Sequence, residues 1–235
     1  MRLLLVHRLR EALDASIGKF EPRAGLRPMP PRGSETVDVC FVLDCTGSMG
    51  TWIDQYKRHV SSIIGSLRSD LAVGAVRVAF VAYRDFRDGA GRCVVTPFVP
   101  MAEVDVVTRA IGRERASGGG DGPEDVISAM VAVRELEWRG DMRACVFIAD
   151  APAHGYSPTH TNWGDDFPTG LCPDQRMTLP QVMQQVAEEQ GVDLLCTKLG
   201  GYTDRMYASR LYLRGRGLTM ISARLTYDGG HLFYK

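Results

Sequence analysis

Asp44-Cys45-Thr46-Gly47-Ser48 carries one carboxylate and two hydroxyls at alternating positions, with a glycine in the turn. Side chains so spaced can converge on one point. Hard divalent cations such as Mg²⁺ take oxygen ligands at about 2.0–2.1 Å and keep several waters, so this set suits Mg²⁺ or Mn²⁺. Two neutral hydroxyls in place of carboxylates leave such a cation short of negative charge and open to an anionic ligand from outside. Two further stretches supply oxygen. In Gly118-Gly119-Gly120-Asp121-Gly122-Pro123-Glu124-Asp125 the glycines let backbone approach a ligand closely. Asp150 ends the apolar run Cys145–Ala149. Each stretch also has a plainer reading: Thr46 or Ser48 as a helix N-cap, the acidic cluster as a complement to a helix dipole, Asp150 as a turn cap.

Catalytic readings of the same residues are weaker. Thr46-Gly47-Ser48-Met49-Gly50 resembles the GxSxG nucleophile elbow, with His154, His160 or His231 as a base, but Thr46 stands where the elbow needs glycine. A hydrolase with Ser48 as nucleophile is the alternative to a binding site. A phosphatase built on Asp44 would want a second aspartate where Thr46 stands. There is no GxxxxGK[ST] loop, and Gly118–Gly120 does not follow a strand as a dinucleotide fingerprint would.

Stepping outward from these loops, the chain reads as strands alternating with helices. Val37–Leu43 is an apolar run broken only by Asp38, the pattern of a strand buried on both faces. Trp52, Tyr56, Val60, Ile63 and Leu67 form one helical stripe. Val76–Tyr83 and Cys93–Val99 are strands joined by a link too short for a parallel crossover, so the second pairs antiparallel at an edge, which suits Pro97. Helices are predicted over Met101–Ile111, Pro123–Leu136 (proline in the first turn), Gln181–Glu189 and Asp204–Leu213, and strands over Ala144–Ile148, Val192–Leu199 and Leu218–Leu225. This order means an α/β fold: a doubly wound, mostly parallel sheet with one antiparallel edge strand and helices on both faces. Such sheets bind ligands outside the carboxyl ends of their strands, where all three oxygen-bearing loops can lie.

Taken together, the loops resemble the metal-ion-dependent adhesion site of von Willebrand factor A-type domains. Asp44, Thr46 and Ser48 match that family's DxSxS with threonine for the first serine, and Asp150 matches its later aspartate. Asp121-Gly122-Pro123-Glu124 departs from the usual threonine and looks like the DxPE loop of integrin β-subunit domains, in which the glutamate is the ligand. The set is closest to the A-type domains associated with atypical alpha-kinases, which share the Tyr83-Arg84-Asp85 triplet. The resemblance spans Val37 to Leu225. It implies strand order 3-2-1-4-5-6 and a cation held by Asp44, Thr46, Ser48, Glu124 and Asp150, with Asp121 secondary. It leaves open whether Asp121 holds a second cation. The implied function is capture of a partner protein's carboxylate through Mg²⁺ or Mn²⁺, without catalysis; a regulatory fragment of an alpha-kinase is the other form of this reading.

Composition agrees with a binding domain of ordinary globular type. The 235 residues are 45% hydrophobic and balance 28 basic against 28 acidic residues, which gives no footprint for nucleic acid or a membrane surface. No apolar run approaches the ~20 residues of a membrane span. Six cysteines without a CxxC pair, four of them in apolar strand-like runs, point to a reduced, cytoplasmic protein. Two regions are expected: an appendage over 1–35, and the domain proper over 36–235. Within the appendage Leu5, Leu9, Leu13 and Ile17 mark one helix face, followed by a linker with four prolines. It reads either as a frayed tail or as an amphipathic docking helix, and Glu11 and Asp14 count against a mitochondrial presequence. The segment Ala151–Pro173 is a long loop beside Asp150, with His154, Tyr156, His160, Trp163, Asp165, Asp166 and Phe167. Its histidines either shape the rim of the cation site or, with Asp165 or Cys172, bind zinc at a spacing that matches no strong zinc pattern.

Overall fold

The computed structural model describes residues 36–70, 76–159, 164–198, 202–208, 218–220, 225–228 and 231–234. The appendage expected over 1–35 lies outside them, as do His160 and Trp163 of the long loop. A six-stranded sheet runs in the order β3-β2-β1-β4-β5-β6, with β1 Val37–Asp44, β2 Val76–Tyr83, β3 Cys93–Pro100, β4 Met142–Ala149, β5 Asp193–Lys198 and β6 Leu218–Met220. All neighbours are parallel except β3, which pairs antiparallel with β2 at one edge. Between the pairs Val78–Val99 and Phe80–Thr96 the register slips, so Pro97 and Phe98 together oppose Ala79. Proline, with no N–H to give, sits in that bulge.

The helices are α1 Ile53–Asp70, α2 Asp105–Arg113, α3 Val126–Glu135, α4 Leu179–Gln184 (continued by a π turn, Gln185–Glu189) and α5 Asp204–Ala208. Strand alternation divides the core into two layers. Val37, Val39, Phe41 and Leu43 of β1 pack in one cluster with Tyr56, Val60 and Ile63 of α1 and Val107 and Ile111 of α2. Cys40 and Val42 face the other cluster, with Met130 and Val133 of α3 and Val182 of α4. The fold is the doubly wound α/β architecture expected, and β1, covered on both faces, is fully buried along its length.

Two predicted elements differ. The helix expected from Pro123 begins only at Val126, because the Glu124 N–H donates to the Pro152 carbonyl at 2.9 Å and Glu124 bridges Ala153 in parallel fashion. Asp125 is then the N-cap, accepting from the Ser128 N–H at 3.0 Å. Glu124 therefore stands one residue before the cap, not within the first turn. The strand expected over Leu218–Leu225 falls in two sheets: β6 is described as far as Met220, and Leu225 belongs to β7 (Leu225–Asp228), which pairs antiparallel with β8 (His231–Tyr234) in a separate two-stranded sheet. The Gly229-Gly230 pair between them is a strong hairpin signal. The predicted helix from Asp204 is described as far as Ala208; its continuation to Leu213 lies outside the described residues. Among the described residues no helix is long and apolar enough to cross a membrane.

At the amino-terminal end of the sheet Asp38 is wholly buried on β1. Arg77 donates to it twice, from Nε at 2.9 Å and Nη2 at 2.6 Å, and the backbone N–H groups of Arg139 and Gly140 donate to Oδ2 at 2.7 Å each. A Cβ at Gly140 would lie 2.7 Å from the Asp38 backbone nitrogen, so only glycine lets the chain pass there. The opposite, carboxyl end of the sheet is left for the site.

Candidate metal centre

Strand order reverses between β1 and β4, and the last residues of both strands open into the crevice that this creates. Asp44, the last residue of β1, is fully buried. Its Oδ1 accepts from the Thr46 backbone N–H at 2.9 Å and the Thr46 hydroxyl at 2.7 Å, and its Oδ2 accepts from the Tyr83 hydroxyl at 3.1 Å. The Thr46 and Ser48 hydroxyls lie 3.1 Å apart, and Ser48 donates to Asp150 Oδ1 at 3.0 Å. Thr46 is buried whereas Ser48 is exposed, so the chain of oxygens runs from the core to the surface. The turn is stitched to its surroundings by backbone bonds: Cys45 N–H to the Tyr83 carbonyl, Gly47 N–H to the Gly118 carbonyl, and Ser117 N–H to the Cys45 carbonyl.

Glu124 completes the group from the middle loop. Its side chain is buried and its Oε2 has no hydrogen-bond partner. A Cβ on Gly119 would stand 3.4 Å from Glu124 Oε1 and 3.7 Å from the Thr46 Cβ, which puts that glycine between them. Burial, with Asp150 beside it, pushes the Asp44 carboxyl up to about 7. Burial, with Asp44 and Asp85 nearby, pushes Glu124 up to about 10, and burial also raises Asp150. Three carboxyl groups that resist ionising together, around two hydroxyls and an orphaned oxygen, are what a divalent cation would relieve. The residues present fit such an ion.

Asp121 faces elsewhere. Its Oδ2 accepts from the Asp166 N–H at 2.6 Å and lies 4.0 Å from His154 Nδ1. The structure thus brings Asp44, Thr46, Ser48, Asp150 and Glu124 together and gives Asp121 a different set of neighbours. Sequence reasoning missed two contributors. Tyr83, opposite Asp44 in register, is a buried second support for its carboxylate and stacks on Phe147. Asp85 caps the 3-10 turn Phe86–Gly91 and meets His154 Nε2 at 2.9 Å. Their signal was the Tyr83-Arg84-Asp85 triplet at the carboxyl end of β2, the strand next to β1. His154, in the long loop beside Asp150, is buried, with Phe167 edge-on to its ring.

Comparison with known proteins bears on the fold and the family. A curated relative, the alpha-protein kinase vwkA of Dictyostelium discoideum, is 36% identical over 140 residues. That match takes in 59% of the chain but only 22% of the kinase. Among solved structures, the pilus adhesin SpaC of Lactobacillus rhamnosus GG in its open conformation superposes with a TM-score of 0.56 at 13% identity, over 84% of this chain and 28% of the adhesin. Proximal thread matrix protein 1 of the mussel byssus, described with a zinc-occupied MIDAS motif, gives 0.53 at 13% identity, over 81% of this chain and 42% of its own. These two likenesses are of fold. The model of the von Willebrand factor A domain matches residues 38–159, just over half of the 235-residue chain. With the sheet order and the loops at its carboxyl end, this makes the chain a member of the von Willebrand factor A domain family.

Proposed function

We propose that the chain is a metal-dependent protein-binding domain in which Asp44, Thr46, Ser48, Asp150 and Glu124 hold one Mg²⁺ or Mn²⁺, some of them through water. The bound cation would supply positive charge for an acidic side chain of a partner protein. The orphaned Glu124 Oε2, buried beside Asp44 and Asp150, carries this reading. Access supports it too, since Ser48 brings the oxygen set to the surface, where a partner's carboxylate can arrive. Proteins similar to this one include an adhesin and a protein with a MIDAS motif. The kinase relative extends far beyond the matched segment, so a regulatory or scaffolding role beside a kinase is part of the proposal. Five of the six cysteines are buried in the fold, where a thiol packs as a small hydrophobe, which supports a reducing compartment such as the cytoplasm.

The hydrolase alternative needs Ser48 activated by a base. Its hydroxyl instead meets Thr46 and Asp150, and both ring nitrogens of His154 are engaged by Asp85 and Asp165. A cation that binds only the folded chain raises stability by about 2.7 kcal/mol at a hundred times Kd. Mg²⁺ should therefore raise the thermal midpoint of the wild type and leave Asp44→Ala unmoved. Capture of an acidic partner should vanish in EDTA and return with Mg²⁺. Equal shifts in both proteins would place the cation elsewhere, and labelling of Ser48 by a fluorophosphonate would favour the hydrolase.

A further inference from the structure

A second group of ligands lies across the glycine loop from the first. One ligand atom each of Asp85, Asp121 and His154 falls within 4.8 Å of the other two. The residues come from three separate places: the turn after β2, the middle loop, and the long loop after β4. All three side chains are more than nine-tenths buried. Two carboxylate oxygens in the group, Asp85 Oδ2 and Asp121 Oδ1, have no hydrogen-bond partner. A buried oxygen without a partner is costly, and two in one cluster are what a cation would satisfy.

The surroundings of His154 are those of a ligand held ready. Its Nδ1 lies 2.9 Å from Asp165 Oδ1. Asp165 is itself fixed by the backbone N–H groups of Gly155 at 2.8 Å and Phe167 at 3.0 Å, and by the Ser157 hydroxyl at 3.2 Å. A carboxylate accepting from one ring nitrogen sets the tautomer and aims the other nitrogen as a metal ligand. That other nitrogen, Nε2, faces Asp85 Oδ1 at 2.9 Å. An ion bound at Nε2 would take the place of this direct contact with Asp85, with a ligand atom of Asp121 within 4.8 Å to complete the set. Charge points the same way. Asp85, Asp121 and Asp165 outnumber the single imidazole even when it is protonated, and the nearby Arg87 is taken by Asp166.

We propose that Asp85, Asp121 and His154 form a second metal site, oriented by Asp165 and specific for a transition divalent cation of the Zn²⁺ type. Imidazole favours such ions over Mg²⁺, so the two sites would differ in preference: an all-oxygen centre open to a partner, and a mixed nitrogen–oxygen centre buried beside it. Asp85 closes the turn after β2, Asp121 belongs to the loop that carries Glu124, and His154 belongs to the long loop. An ion there would tie three otherwise separate segments together and hold the rim of the first site in place. The proposal is independent of whether the first site binds Mg²⁺.

Cobalt titration of the full chain in saturating Mg²⁺ tests it, because Co²⁺ reports its ligands in the visible spectrum. We expect one Co²⁺ per chain, d–d bands without the intense near-ultraviolet charge transfer of thiolate ligands, and the same uptake in Asp44→Ala. His154→Gln and Asp121→Asn should each weaken Co²⁺ binding by about ten- to a hundred-fold. Asp121→Asn keeps an acceptor for the Asp166 N–H, so it decides the matter if His154→Gln does not fold. No Co²⁺ uptake under Mg²⁺, a thiolate band, or wild-type affinity in Asp121→Asn would each overturn the proposal.

Discussion

Glu124 concentrates the physics of the site in one side chain. An ordinary glutamate ionises near 4.5, and burial beside Asp44 and Asp85 moves this one to about 10; Asp44 moves from 3.8 to about 7, with burial the larger cause and Asp150 next. Both folded-state values lie above the unfolded ones. The folded chain therefore keeps protons that the unfolded chain releases, so metal-free stability is greatest in acid and falls as pH rises through 3.8 to about 7 for Asp44 and 4.5 to about 10 for Glu124. Denaturant titrations in EDTA should show lower stability at pH 8 than at pH 5.5. Glu124→Gln should blunt that fall, stabilising the metal-free chain at pH 8 by about 1–3 kcal/mol, since glutamine removes the cost of protonating a carboxyl that the unfolded chain leaves ionised. The same variant should bind Mg²⁺ more weakly, while Asp121→Asn should bind it almost normally. Destabilisation by Glu124→Gln in EDTA would mean that the carboxylate has a protein partner and is not waiting for a cation.

Elements bring such residues together, and the glycine loop is the tightest joint. Gly118 adopts φ +78°, and a Cβ there would lie 2.1 Å from Asp88 Oδ1. Asp88 cannot yield easily, because its Oδ2 accepts from the N–H groups of both Asp85 and Gly119. Gly118→Ala should cost about 1–3 kcal/mol through the left-handed backbone alone, and more through the clash. Gly65, exposed in the middle of α1 with open space around its Cα, is the control: Gly65→Ala should gain up to about 1 kcal/mol from helix propensity. Urea midpoints of the two variants should move in opposite directions. Parallel movement would show that the loop tolerates a side chain and that the packing around Asp88 is slack.

Across the whole molecule the sheet separates stability from binding. Asp38 and Arg77 lock the amino-terminal end of β1 to β2, while Asp44 stands at the other end of the same strand. Removing one partner of a buried ion pair leaves the other charge uncompensated and costs about 3 kcal/mol or more. Arg77→Ala should lower the denaturation midpoint by that order, yet its Mg²⁺-induced shift should match the wild type. A loss of Mg²⁺ affinity as large as that in Asp44→Ala would show that the two ends of β1 are coupled.

The sequence by itself determined the parts that depend on local pattern. Continuous apolar runs identified strands buried on both faces, the short link before Cys93 required an antiparallel edge, and Asp44-x-Thr46-x-Ser48 after a buried strand marked the oxygen-bearing loop that meets Asp150. The glycines before Asp121 marked a close approach, which Gly118 and Gly119 make. Tertiary structure decided what depends on distance through space. Pro123 and Glu124 read as the start of a helix, yet the segment after β4 offers the Glu124 N–H a carbonyl, and that bond moves the helix start to Val126. Asp85, Asp121 and His154 are separated by more than thirty residues at each step and share no periodicity. Only the winding of β2, β1 and β4 side by side in one sheet brings their loops together at its carboxyl end, and no spacing rule along the chain encodes that convergence.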